Sequence, residues 1–269
     1  RLNILANDYD PDGDSIYVSY CQVPQINDST WEFTLLLYDY SVGSDYQSVK
    51  TFNYQIKDAN GTPSPGKIVY IYKYPPSFEF ADANNINALI SPFGNHFWDF
   101  THSCFEAPKG SGKKAVFNQS LWLGGYNQHN QLRFAGEKYR AVGKDFLQGP
   151  ISSIIDSSYF KLWNHVWKIN KEEIRNHINN WNNTGYSPID VIADWPAHGD
   201  TTKGESYHIA PFYDMDGDGH YDPMHGDYPL IRGDQAVFFV FNDSTIIHTE
   251  SAGFCLGIEI HGMAYEFDK

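Results

Sequence analysis

With 269 residues, 41% of them hydrophobic and 19% charged, the chain is long enough for one large domain or two ordinary ones and too apolar to be disordered. A net charge of -14 excludes nucleic acid and anionic membrane surfaces as general partners, because their charge has the same sign. No apolar run approaches the length of a membrane span. The opening residues RLNILAND already have the pattern of folded structure, so the chain reads as a mature or excised piece of something longer. Three cysteines, Cys21, Cys104 and Cys255, are too few for a disulfide scaffold. They leave open a single Cys104–Cys255 bridge or buried free thiols.

Residues 1–74 read as strands and turns. Leu2–Leu5, Ser15–Tyr20, Trp31–Tyr38, Thr51–Ile56 and Lys67–Tyr72 are apolar or alternating stretches. Between them lie Asn, Asp, Gly and Pro clusters, including the tight-turn pair Asn60-Gly61. Short strands at this spacing predict a β-sandwich. The segments LANDYDPDGDSIYV and FNYQIKDANGTPSPGKIVYIY resemble the cadherin-like or immunoglobulin-like repeats of giant bacterial surface proteins. The resemblance implies an Ig-like fold whose first strand is missing before Arg1. Upstream chain or a neighbouring subunit would then cover the open edge. Asp8, Asp10, Asp12 and Asp14 alternate before and after Gly13, a spacing that suits either a calcium site or a polar turn.

Pro75-Pro76 marks the domain boundary, because paired prolines stiffen a linker, here taken as 75–83. The second region, 84–269, contains the dense FGNHFWDFTHSCF stretch and the strand candidates Leu121–Tyr126 and Gln131–Phe134. In Leu162–Ile169, the residues Trp163, His165, Trp167 and Ile169 alternate as in a strand. A single helix follows. Asn170 suits the N-cap, Glu173 completes a capping box, Ile169 and Ile174 can staple the entry, and Asn182-Asn183-Thr184-Gly185 stops it. Ala236–Phe241, His248–Thr249 and Gly257–Tyr265 close the chain as strands. The expected architecture is mainly β, an Ig-like β-sandwich followed by a larger, jelly-roll-like sandwich with one short helix. The second domain is expected to be incomplete at its C-terminus.

The stretch DMDGDGHYDPMHGD, residues 214–227, carries the clearest chemistry. Hard divalent cations take several oxygen ligands around one point. In an EF-hand-like loop, positions 1, 3, 5 and 9 supply carboxylates and a glycine at position 6 permits the sharp turn. Asp214, Asp216, Asp218, Asp222 and Gly219 fall on those positions. Position 12 is His225 and not a bidentate Glu, so Asp227 or a more distant acid is expected to close the site. Pro211, Pro223 and Pro229 rule out flanking helices, which places this calcium loop in a β or irregular setting.

The blocks from NNINALISPFGNHFWDF through SLWLGG, QLRFAGEKYR, WPAHGD and DMDGDGHYDPMHGDYPLIRGDQAVFFVFND to HGMAYEF resemble a module of large type IX-secreted proteins of Bacteroidota. That resemblance implies an outer-surface location and calcium binding, without a known reaction. It also implies O-glycosylation at Asp-Ser/Thr motifs, here at Ser15, Ser29, Thr201 and Ser244.

Catalytic signatures are missing. There is no H-E-x-x-H pair and no G-x-S-x-G, and the histidines His96, His102, His198 and His225 stand near acids without metal-ligand spacing. Gly110-Ser111-Gly112-Lys113 lacks phosphate-loop spacing and reads as a basic hairpin tip. A glycosidase needs only two facing carboxylates, a pattern without a sequence signature. Trp98, Trp122, Trp163, Trp167 and Trp195 read as sandwich core rather than as a sugar platform. The chain is therefore expected to be a non-catalytic, calcium-stabilised segment of a secreted or cell-surface structural or adhesive protein. Its partners would be other domains of a long chain, or neighbouring subunits in a filament, and surface glycans. The alternative is a glycan-binding accessory region or a secreted calcium-dependent hydrolase.

Overall fold

The computed structural model describes residues 77–99, 102–138 and 144–268, together with five strands before them. Those strands are β1 (Leu2–Asn3), β2 (Tyr17–Cys21), β3 (Glu32–Phe33), β4 (Lys50–Lys57) and β5 (Lys67–Ile71). The chain forms two compact units, Arg1–Pro75 and Pro76–Lys269. In the first, β1 pairs antiparallel with β3, and β4 runs antiparallel between β2 and β5. The register of β2 against β4 slips between Val18 and Tyr20, the signature of a bulge. The prolines Pro75 and Pro76 lie outside the described residues.

The second unit opens with β6 (Glu79–Ala81), β7 (Asn87–Ile90), β8 (Asn95–His96), β9 (Phe105–Glu106), β10 (Lys114–Val116) and β11 (Gln119–Ser120). β12 (Trp122–Tyr126), β13 (Leu132–Gly136), β14 (Leu147–Gln148), α1 (Ser157–Trp163), β15 (Trp167–Asn170), α2 (Lys171–Asn180) and α3 (Asp190–Ala193) follow. The unit closes with β16 (Phe212–Tyr213), β17 (Tyr228–Pro229), β18 (Gln235–Asn242) and β19 (Glu259–Glu266). Its architecture is mainly β. One four-stranded sheet has the order β10-β9-β7-β6; the other centres on β18, with β14 and β15 along one edge and β19 along the other. Since Glu79 already pairs with Ile90, the first sheet begins inside the stretch expected as a 75–83 linker. Ala81 is buried there, and that burial fixes the short strand.

β18, QAVFFVFN, is buried at all eight positions, as a continuous apolar run covered on both faces should be. Val237, Phe239 and Phe241 pack with Ala81, Ala88 and Ile90 of the first sheet, which makes the sandwich core. Phe238 points the other way and meets Trp195 at 5.5 Å and Trp167 at 6.3 Å between ring centroids. Each such buried aromatic contributes about 1.5–3 kcal/mol by burial alone.

Two local readings change. Leu162 and Trp163 belong to α1 and not to a strand, because Asp156 caps a helix whose Tyr159, Phe160 and Trp163 share the buried face. The period-2 alternation begins to govern only at Trp167. His248–Thr249 is not a strand either. His248 is buried, with its ring nitrogens 2.8 Å from the carbonyl oxygens of Phe134 and Asp243. The helix expected after Asn170 is present as α2, its capping box closed by Glu173 Oε2, which accepts from the Asn170 N–H at 2.8 Å. The second unit also contains α1 and α3, where the sequence predicted a single helix.

Candidate metal centre

β16 and β17 pair antiparallel, and the Tyr213 and Tyr228 rings stack at 4.8 Å. The acidic segment 214–227 is thus a loop closed at its base. Within it, short polar side chains fold back on the backbone, as Asp does in turns. Asp214 accepts from the Gly217 N–H through Oδ1 at 2.6 Å and from the Gly219 N–H through Oδ2 at 2.8 Å. Asp218 Oδ1 accepts from the His220 N–H at 2.7 Å. Gly219 sits at φ +81°, the left-handed conformation that its position requires. The Gly219 amide, with those of Gly217 and Asp218, holds the Asp214 carboxyl below the usual carboxylate range.

One carboxylate oxygen from each of Asp214, Asp216 and Asp218 comes within 4.8 Å of the others. Calcium–oxygen bonds of about 2.3–2.6 Å put two ligands of one ion at most about 5 Å apart, so the three oxygens fit a single hard cation. Among the described residues no other cluster brings three metal-ligating side chains together.

Asp222 and Asp227 have different work. Asp222 caps a short 3-10 turn over Pro223–His225, accepting from the Met224 N–H at 2.8 Å, and lies 3.0 Å from His225 Nδ1. Asp227 is buried, and its two oxygens accept from the N–H groups of Met215 and Asp222, both at 2.8 Å. It clasps the two ends of the acidic loop. Its own carbonyl accepts from Nε2 of the fully buried His177 at 2.9 Å, while Nδ1 of that ring meets the Tyr186 hydroxyl at 3.0 Å. Burial lowers the His177 pKa, which keeps the ring neutral with one donor and one acceptor, both satisfied.

A second group of contacts ties the loop to residues 192–208. Tyr221 donates its hydroxyl to the Ile192 carbonyl at 2.6 Å, and His198 Nε2 accepts from the Tyr221 N–H at 3.1 Å. Tyr207 donates to the Gly219 carbonyl at 3.0 Å and stacks on His198 at 4.2 Å.

The other sequence candidates disperse. Asp8, Asp10, Asp12, Asp14, Ser15 and Ser29 lie outside the described residues. Thr201 is exposed at the start of a 3-10 turn capped by Asp200, and Ser244 is half-buried, its N–H donating to Asn242 Oδ1 at 3.0 Å. Cys104 and Cys255 are free thiols, so the bridge between them is not formed. His96 is a core residue: burial pushes its pKa down to about 4, and its ring packs on Phe239 at 4.6 Å. The 109–113 loop joins β9 to β10, and the Gly112 N–H donates to Glu106, so a carboxylate of the chain itself takes the amide a phosphate would want.

Sequence reasoning missed His177 and a set of buried acids. Asp145 accepts from the N–H groups of Gly136 at 2.9 Å and Glu250 at 3.0 Å. Nearby, burial pushes the Glu137 carboxyl up to about 7. The one faint signal for His177 was its place three residues after Ile174 on the apolar face of a recognisable helix.

Comparison with known families decides the first unit. Residues 1–70 match the bacterial Ig domain family. The match covers β1 to β4 and reaches into β5, which makes the unit Ig-like and points to a surface or structural module. No curated protein and no solved structure matches the chain. No helix among the described residues is long and apolar enough to cross a membrane.

Proposed function

We propose that this chain is a non-catalytic segment of a large secreted or cell-surface protein, in which calcium bound at 214–218 stiffens the β-rich second unit. The three carboxylate oxygens within 4.8 Å of one another carry the reading. The backbone N–H groups of the loop offset part of the repulsion among these carboxylates, and a bound cation would offset the rest. Asp214, Asp216 and Asp218 would supply the oxygens, with water or backbone carbonyls filling the remaining positions usual for calcium. The ion would add rigidity and no reaction chemistry. The bacterial Ig domain match supports the surface setting. The resemblance of 84–269 to type IX-secreted proteins of Bacteroidota supports a place in a long adhesive or filament-forming chain.

Calcium titration by calorimetry, with thermal unfolding in calcium and in EDTA, tests this. Binding to the folded state alone stabilises by about 2.7 kcal/mol at a hundredfold excess over Kd. The melting temperature should therefore rise in calcium, and an Asp216→Ala/Asp218→Ala double variant should lose that response. A wild-type chain that melts at one temperature in both buffers would sink the proposal.

A further inference from the structure

Four of the five tryptophans singled out in the sequence are core residues: Trp98, Trp163, Trp167 and Trp195 are each 6% exposed or less. Trp122 is 63% exposed. It stands on β12, paired with β13 through Trp122↔Gly136, Gly124↔Phe134 and Tyr126↔Leu132. Directly paired residues in an antiparallel ladder project from the same face. The outer face of this hairpin therefore presents Trp122, Tyr126, Leu132 and Phe134, with Tyr126 70% and Leu132 58% exposed.

The rings are arranged, not merely uncovered. Trp122 reaches across the ladder, and a Cβ added at Gly136 would lie 3.0 Å from its Cδ1. Its indole N–H donates to the Glu137 carbonyl at 2.9 Å, so the polar edge is satisfied within the protein and the ring is held in one orientation. Phe134 lies edge-on to it at 6.3 Å, and its ring crosses toward Gly124 with a would-be Cβ contact of 3.3 Å. Trp122 and Tyr126 are four residues apart on one strand, about 13 Å, with Gly124 leaving the space between them low. Arg133, the one charged residue in the two strands, belongs to the opposite face, where it lies over the Phe254 ring at 5.3 Å. Exposed Gln128, His129 and Asn130 border the platform at the hairpin tip beyond Tyr126.

We propose that the outer face of the β12–β13 hairpin binds a neutral oligosaccharide, whose C–H faces stack on Trp122 and Tyr126. Size decides against a protein occupant. Two five-residue strands give a face of about 17 Å by 10 Å. That is on the order of 170 Å², against about 800 Å² per partner in a stable protein interface. Charge decides the kind of sugar. The face carries no charge, and a chain at -14 repels anionic polysaccharides. The proposal is independent of the calcium reading, since none of its residues belongs to the 214–227 loop.

Affinity electrophoresis of the full chain in native gels tests it. The gels contain soluble β-glucan, xyloglucan, galactomannan, arabinoxylan or starch, with alginate as the anionic control. At least one neutral polymer should retard the wild type, and alginate should not. Trp122→Ala should weaken retardation roughly tenfold, as loss of a stacked ring implies. Tyr126→Ala should weaken it too. Because Tyr126 is 70% exposed, that variant reads the site even if Trp122→Ala fails to fold. Absence of retardation by all five neutral polymers, or retardation unchanged in Tyr126→Ala, would overturn the proposal. Self-association in sedimentation velocity that Tyr126→Ala abolishes would overturn it as well, by making the face a contact between copies.

Discussion

Replacing Asp227 by alanine removes both acceptors that hold the ends of the acidic loop and leaves the N–H groups of Met215 and Asp222 without them. Hydrogen bonds to a charged group contribute about 1.5–3 kcal/mol each, so the pair predicts a loss of about 3–6 kcal/mol. The His177 bond survives, because it uses the backbone carbonyl of residue 227. Asp227→Asn should be milder. Its oxygen can still accept from one N–H, while its NH₂ would face the other donor, so roughly half the loss is expected. Urea unfolding in calcium and in EDTA separates this clasp from the ligand role suggested by position in the loop. A clasp costs stability in EDTA as well as in calcium, since its bonds form without the cation. A ligand costs stability in calcium alone. If Asp227→Ala matched the wild type in EDTA, the reasoning built on these two bonds would be wrong.

Further outcomes follow from the same geometry. Burial raises the Glu137 carboxyl to about 7, above its value in the unfolded chain, so its neutral form is favoured on folding. Its stability contribution is present below the ordinary carboxylate range and is lost as pH rises through about 7. Glu137→Gln should remove that loss, on the order of 3 kcal/mol, measured as the difference in urea stability between pH 4 and pH 8.5. Asp156 accepts from the Ser158 and Tyr159 N–H groups, both at 2.9 Å, so Asp156→Ala should cost about 1 kcal/mol and Asp156→Asn much less. Equal denaturation midpoints for all three proteins would rule out the cap.

The features legible in the sequence are those whose cause is local. The alternation of Asp214, Asp216 and Asp218 around glycines sets which backbone amides their oxygens can reach. The spacing predicted that Asp214, Asp216, Asp218 and Asp222 share one site, and in the structure the first three converge within the loop. The capping box of α2 needs only Asn170 and Glu173, three residues apart, and the continuous apolar run of β18 reports burial on both faces by itself. Ig-like strands in the first unit were readable for the same reason, as short apolar stretches between turn residues.

Tertiary structure decided whatever depends on distant chain. Asp227 and Asp222 look alike on paper, yet α2, fifty residues upstream, donates His177 Nε2 to the carbonyl of Asp227, whose carboxylate is buried as the clasp. Asp222 stays at the surface as a cap. Alternation at Trp163, His165, Trp167 and Ile169 read as one strand because a period of two is visible locally. The Asp156 cap and the packing of Tyr159 and Phe160 pull Trp163 into α1 instead. Tryptophans 122 and 167 sit in equally apolar surroundings in sequence. Trp167 is buried because Phe238 of β18 packs on it and the Asp194 carbonyl accepts from its indole N–H at 3.0 Å, both from other parts of the chain. Trp122, by contrast, lies on the outer face of a hairpin and stays open to solvent. Burial is a property of what comes to rest against a residue, and for these positions that is set by chain far away in sequence.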